Sequence, residues 1–371
     1  MRVLHLANGN LFGGIETFLV TLARLERANG AFENHFLLSH RGRLSHELES
    51  AGASPLFIEG VRIRHPWAVL RARRECRAQV EKLKPDVVVA HGLWTYVVFG
   101  HGLPHAPPLV FFQHGPALSD ALHTLASRRA PAGVIANSAY TASTTARVFP
   151  GIPVHVCRYP LDPSPPTRSR EVVRAELSVR DEPVIVQTSR LEPWKGQRLL
   201  LEALTLVGEL PFRLWLAGGH ARPVEAQFRR ELEVFARSHG LDSRVTFLGE
   251  RNDISDVLAA ADIFCQPNLE REPYGISVVE ALSIGLPIVA TTLGATADDV
   301  APDIGRCVEP DPEALSAALR ELLADREKRK RLGSAARSHF DDKFSPASAL
   351  RDLSAALGAI SSSANTSQLW A

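Results

Sequence analysis

Cysteine is scarce. The chain of 371 residues holds four, Cys76, Cys157, Cys265 and Cys307, far apart and without a C-x-x-C pair. That argues against a disulfide framework or a zinc site and fits reduced thiols. An excess of one charge is missing too. The 42 Lys and Arg against 41 Asp and Glu leave a formal +1, so no bulk attraction draws the chain to nucleic acid. No uncharged apolar run reaches the roughly 18 residues that a membrane span needs. The opening MRVLHLANGN lacks the apolar centre of a secretory leader. There is no internal repeat beyond the α/β alternation itself. The expectation is a cytoplasmic protein, with peripheral contact at the inner face of a membrane as an added option.

What is present is a strand–turn–helix pattern that runs twice. At roughly 100 to 200 residues per domain, this length predicts two domains. A buried strand over Arg2–Ala7 leads into a Gly- and Asn-rich loop, 8–14, and a helix over 15–29 with Phe18, Leu22 and Leu25 on one face. Such an opening predicts a doubly wound α/β domain. Gly13 and Gly14 allow backbone to approach an anion at the helix start. The spacing is not G-x-G-x-x-G, which counts against a nicotinamide-dinucleotide site. Strands over 34–39, 55–58, 86–90, 109–113 and 134–136 follow, with His91 and His114 just past two of them. His5, inside the first strand, reads as core. The segment YPLDPSPPTRS has the composition of a semi-rigid linker. Beyond it the pattern restarts with a strand over 183–188 and the loop SRLEPWKG, which holds Arg190 and Lys195. The predicted division is 1–162, 170–345, a last amphipathic helix over 346–360, and a disordered tail over 361–371.

The densest signal is 272–292, EPYGISVVEALSIGLPIVATT. It predicts a helix over Ile276–Ile284, stopped by Gly285 with Pro287 following, and then an apolar strand. Glu272 lies in the loop before the helix and Glu280 about one turn inside it. Carboxylates among apolar neighbours need partners, and sugar or ribose hydroxyls are donors that would serve.

Glu272, seven residues, then Glu280, set among Glu-Pro-Tyr-Gly, Glu-Ala-Leu and Gly-Leu-Pro-Ile-Val-Ala-Thr, resembles the signature of the retaining glycosyltransferases of family 4. That resemblance implies the GT-B fold, two Rossmann-like doubly wound domains facing across a cleft, the first for acceptor and the second for donor. It implies a sugar moved from a nucleotide-diphosphate sugar to a hydroxyl in polysaccharide, glycolipid or glycoconjugate synthesis, a lipid-linked acceptor being one option. Arg190 and Lys195 match the family's diphosphate clamp, and fixed cations stabilise charge that develops on a leaving group. The Gly13, Gly14 and Glu16 loop is implied to lie against the diphosphate. Glu272 is implied to hold sugar hydroxyls, Tyr274, Gly275 and Ile276 to bind the donor, Glu280 to hold the ribose, and His114 to contact the transferred sugar. His91 is a weaker acceptor-side candidate, and the final helix is implied to cross back to the first domain. No metal and no cofactor are expected, since two fixed cations can do a metal ion's work and no Asp-x-Asp motif occurs. The family's Asn-Gly-Val-Asp linker is replaced by Tyr159-Pro160-Leu161-Asp162.

The basic run Arg62 to Lys84, with Trp67 and Leu70, admits two readings. One is a patch for an anionic membrane; the other is a solvated helix face. Rival functions are a nucleotide-sugar epimerase of the same architecture, a nicotinamide-dependent dehydrogenase, and a non-catalytic nucleotide-sugar-binding protein.

Overall fold

A computed structural model describes residues 1–10, 13–30, 32–104, 107–118, 120–219 and 222–368. The chain divides into two units. One comprises Met1–Asp162 and the segment from Phe344 onward; the other is Pro163–Lys343.

The first unit contains β1 (Arg2–Ala7), β2 (Glu33–Leu38), β3 (Leu56–Phe57), β4 (Val87–His91), β5 (Leu109–Gln113), β6 (Gly133–Ala136) and β7 (Val154–Val156). The second contains β8 (Val184–Thr188), β9 (Arg213–Ala217), β10 (Val245–Gly249), β11 (Ile263–Gln266), β12 (Ile288–Thr291) and β13 (Gly305–Val308). The strand orders are β3-β2-β1-β4-β5-β6-β7 and β10-β9-β8-β11-β12-β13, and every pairing is parallel. Each unit therefore starts on a central strand, winds outward, then reverses. The reversals lie at β1/β4 and β8/β11, and this doubly wound α/β class is the one expected.

Central strands read as continuous apolar runs because helices cover both faces of such sheets. Thus VVVAH, LVFFQ and VIVQT are buried along their whole length. The edges β3, β7, β10 and β13 are half-exposed. Leu4, Leu6, Val88, Tyr96 and Phe99 sit in the first core. Leu200, Leu214, Leu315 and Leu319 sit in the second.

The last helix, Pro346–Gln368, belongs to the first unit. A Cβ added at Gly133 would lie 2.6 Å from Ile360 Cγ1, so the start of β6 lies directly against that helix. The Cys157 thiol donates to the Asp352 carbonyl at 3.6 Å. The tail expected to be disordered over 361–371 is helical as far as Gln368; residues 369–371 lie outside the described residues. Its Ser, Asn and Thr carry no helix signal of their own, and the helix continues from the apolar turn before them. Also unforeseen are β7 and β13, short edge strands with no alternation, and the helix Arg43–Ser50. Among the described residues no helix is long and apolar enough to cross a membrane.

Candidate functional site

In the second unit the loops leaving the carboxyl ends of β8 and β11 carry most of the candidate residues. Ligands of open α/β sheets bind there, where the winding reverses. The β8 loop ends in a short turn, Pro193–Lys195, closed by Gly196 with φ +74°. A Cβ at Gly196 would sit 1.7 Å from the Pro267 carbonyl oxygen. Only glycine combines that backbone conformation with so close an approach, so the two loops are held against each other.

This contact brings Lys195 to Glu272. The ammonium donates to Glu272 Oε2 at 2.5 Å, with the two side chains only 14% and 13% exposed. Lys195 Nζ also lies 3.8 Å from the centroid of the Trp194 ring, a favourable place for a cation. Glu272 is further held by Asn268 Nδ2 at 3.5 Å. Asn268 is buried; its side-chain oxygen accepts from Gln266 Nε2 at 2.6 Å and its carbonyl from the Thr291 hydroxyl at 2.6 Å. Around the same turn Gln187 Oε1, Thr188 Oγ1 and Gln197 Oε1 are buried without a partner among the described residues. Unpaired buried polar atoms are rare and point to water or ligand.

A pocket of about 540 Å³ opens alongside, lined among others by Arg190, Gly218, Gly219, Arg222, Glu250 and Glu280. Lys195 and Glu272 are not part of its lining. Arg190 and Arg222 share two buried carboxylates. Arg190 pairs with Glu192 at 3.0 Å. Arg222 pairs with Glu225 at 2.7 Å and also with Glu192. Glu192 in turn accepts from Trp194 Nε1 at 2.9 Å, which ties this quartet to the Lys195 turn. Arg190 and Lys195, the expected diphosphate clamp, are thus each paired with a carboxylate. A bound anion would have to compete for them.

Glu280 is different. On the Ile276–Ile284 helix it faces the pocket, and no hydrogen bond or ion pair holds its carboxylate among the described residues. Burial raises it to about 7. Two carboxylates eight positions apart are thus set to different tasks, one bonded to Lys195, the other open to donors. Tyr274 is buried, and Gly275 precedes Ile276 at the helix start.

In the first unit the candidates lie at the ends of β1, β4 and β5. Gly13 and Gly14 open the helix Gly14–Asn29; residues 11 and 12 of that loop lie outside the described residues. The Gly13 amide donates to Glu16 Oε2 at 3.0 Å. His114 has both ring nitrogens engaged. One ring nitrogen contacts His91 at 2.9 Å and the other the Tyr159 hydroxyl at 2.6 Å, so neither is left for a sugar. His91 is buried between His5 and His114. His5 is buried, as expected. Burial lowers His5 to about 4 and His114 to about 3, and His91 well below its ordinary value, so all three are neutral near pH 7.

Glu192, Arg222, Glu225, Asn268 and Tyr159 were missed. Arg222 carried one usable signal, its place just before Pro223 with Glu225 three residues on, a helix start. Tyr159 carried another, standing where the family has asparagine. Glu192 and Asn268 carried none.

Two family models match the chain: glycosyltransferase family 4 over residues 12–165 and glycosyl transferases group 1 over residues 169–339. A GDP-mannose-dependent monoacylated alpha-(1-6)-phosphatidylinositol monomannoside mannosyltransferase of Corynebacterium glutamicum is 35% identical over 187 residues, 47% of this chain and 47% of that one. A D-inositol 3-phosphate glycosyltransferase of Xylanimonas cellulosilytica is 33% identical over 184 residues, 47% of this chain and 43% of that one. The matched stretch is thus about half the length of these curated relatives. Among solved structures, Anabaena Alr3699/HepE in complex with UDP superposes with a TM-score of 0.82 at 23% identity, covering 97% of this chain and 100% of that one. A glycosyltransferase from Rickettsia africae superposes with a TM-score of 0.84 at 19% identity, covering 97% and 98%. These likenesses show the GT-B fold.

Proposed function

The chain belongs to glycosyltransferase family 4, and from that membership we propose that it moves a sugar from a nucleotide-diphosphate sugar to a hydroxyl acceptor with retention of anomeric configuration. The observation that carries this reading is the Lys195–Glu272 pair beside a pocket bearing Arg190 and Glu280, at the winding reversal of the second unit. A donor separates that pair usefully. Its diphosphate takes Lys195 and Arg190, its sugar hydroxyls donate to Glu272, and its ribose hydroxyls donate to Glu280. The exchange replaces one set of charge-assisted bonds by another, so little of the desolvation cost is left uncompensated.

The acceptor oxygen bonds to the anomeric carbon as that carbon's bond to the diphosphate oxygen breaks on the same face. The departing oxygen takes the acceptor's proton. Charge builds on the diphosphate, where Lys195 and Arg190 stabilise it without a metal ion. His114 sits beside the transferred sugar and acts by shape rather than through a ring nitrogen. The test is incubation with nucleotide sugars and inositol-containing lipid acceptors in EDTA, with magnetic-resonance assignment of the new linkage. A product with the donor's anomeric configuration supports the reading; an inverted one overturns retention. Epimerised sugar from donor alone would instead favour the epimerase.

The helix Pro66–Leu83 supports a peripheral membrane contact for a lipid acceptor. Trp67 is 83% exposed and Leu70 50%. Not all of its arginines serve such a contact. Arg71 and Arg77 donate to the carbonyls of Glu59 and Gly102, and Arg73 to those of Val97 and Val98. Arg74 and Lys82 on the helix, and Arg62, Arg64 and Lys84 beside it, are exposed cations, each worth about 1 kcal/mol near an anionic surface. We expect flotation with phosphatidylserine-containing vesicles, little with phosphatidylcholine, and loss of most binding in Trp67→Ser. Equal binding to both vesicle types would exclude the patch.

A further inference from the structure

We propose that His5, His91 and Tyr159 are positioning residues for His114, joined to it in a one-directional hydrogen-bond chain that fixes its tautomer and its ring orientation. The direction follows from the ends. At one end Asn34 donates through Nδ2 and through its backbone N–H to Glu26 Oε2, both at 3.1 Å. That fixes the Asn34 amide, so its Oδ1 must accept, and His5 Nε2 at 3.0 Å must carry a proton. A neutral imidazole has one N–H. His5 Nδ1 is therefore an acceptor, and His91 Nε2 donates to it at 2.9 Å. His91 Nδ1 then accepts from His114 Nε2 at 2.9 Å. His114 Nδ1 accepts from the Tyr159 hydroxyl at 2.6 Å. The Tyr159 oxygen accepts from Asn137 Nδ2 at 3.1 Å, and the same amide donates to the His114 carbonyl at 3.0 Å.

All three histidines are thus Nε2–H tautomers. Reversing any one would set two protons or two lone pairs face to face among buried groups, at about 1 to 3 kcal/mol for each bond lost. Stacking fixes the ring planes as well: Phe112 lies 4.4 Å from His114 at 15°, and His91 lies 5.1 Å away at 27°. The chain joins β1, the end of β4, the loop after β5 and the segment after β7.

The chain is not a proton conduit. An asparagine amide stands between His5 and Glu26 and does not pass a proton on, so no net transfer to Glu26 can follow. What remains is orientation. If His114 lies beside the transferred sugar, which rests on the reading above, a misplacement of about 1 Å costs on the order of 10²-fold in rate.

The test uses the full chain with nitrogen-15 in its histidine rings. Nitrogen resonances of His5, His91 and His114, assigned by single substitutions, should each show Nε2 protonated and Nδ1 bare. In His5→Phe, His91 Nε2–H loses its acceptor while Tyr159 still donates to His114 Nδ1, so the tautomers stay. The His91 Nε2 resonance should shift toward that of an unbonded N–H, and turnover should fall on the order of tenfold with donor KM within about twofold. His5→Gln, which offers Oε1 as acceptor, should restore both. A wild-type His114 protonated at Nδ1, or a His91 Nε2 resonance unmoved in His5→Phe, overturns the proposal. The wild-type spectrum decides the chain even if His5→Phe does not fold. The expected tautomers without transfer from any nucleotide sugar would leave the chain standing and remove the functional reading.

Discussion

Lys195→Ala is expected to lower turnover by about 10² to 10³-fold, the loss seen when one fixed donor to a developing anion is removed. The same change leaves Glu272 without its cation in a site where its side chain is 13% exposed. Asn268 still donates to it, and the carboxylate lies close enough to solvent to recover part of its hydration. The stability cost is therefore set at about 1 to 3 kcal/mol, well short of unfolding. A second substitution separates the two effects. Glu272→Gln in the Lys195→Ala background removes the stranded charge, so the melting temperature should recover while turnover stays low. Kinetics and calorimetry on the single and double variants check this. Turnover within a few-fold of wild type in Lys195→Ala would remove the role assigned to it.

Glu280→Gln should give a protein that is more stable and binds nucleotide poorly. The carboxyl is raised to about 7 from 4.5 by burial. A group that is harder to ionise in the folded state costs stability as pH rises. The penalty is absent below about 4.5, grows from there to about 7, and is complete above it. At 1.36 kcal/mol per pKa unit it amounts to about 2 to 3 kcal/mol above pH 8, after allowing for the solvent that reaches the pocket. Gln carries no charge and removes the penalty, so denaturant midpoints of wild type and variant should diverge from pH 5 to pH 8, with the variant higher. Binding moves the other way. Ribose hydroxyls donate to the ionised form, so a nucleotide lowers the pKa of Glu280 and expels a proton near neutrality. Wild-type affinity should rise between pH 6 and 8, and the heat of binding should depend on the buffer's ionisation enthalpy. A nucleotide affinity in Glu280→Gln equal to wild type at pH 8 would contradict its contact with the ligand.

The fold was legible because the chain repeats one instruction, apolar strand, glycine turn, amphipathic helix, and repeats it with clear stops. β8 and β11 were clear because they are central and open on apolar runs, V-I-V and I-F-C. β7 and β13 were not, because V-H-V and G-R-C-V at an edge owe their pairing to neighbours rather than to periodicity. In the site, Glu272 and Glu280 were legible through the motif around them, and Lys195 and Arg190 through their loop. The partners of these groups were not. Glu192 and Arg222 meet across 30 positions, and His5 and His91 across 86, so no local pattern records either pairing. His114 shows the consequence. Read alone it was a ligand contact; read with Tyr159 and His91 both ring nitrogens are spent. Arg71, Arg73 and Arg77 show it again, since a basic run counted by charge includes cations already used to cap carbonyls.

The central claim is that the second unit binds the diphosphate of a sugar donor with its own cations. Calorimetric binding of UDP, GDP, ADP and dTDP in EDTA tests it most directly. The account predicts that one diphosphate binds and raises the melting temperature, that magnesium adds nothing, and that Arg190→Ala weakens binding at least tenfold. Binding of none of the four, or binding that appears only when magnesium is restored, would contradict it.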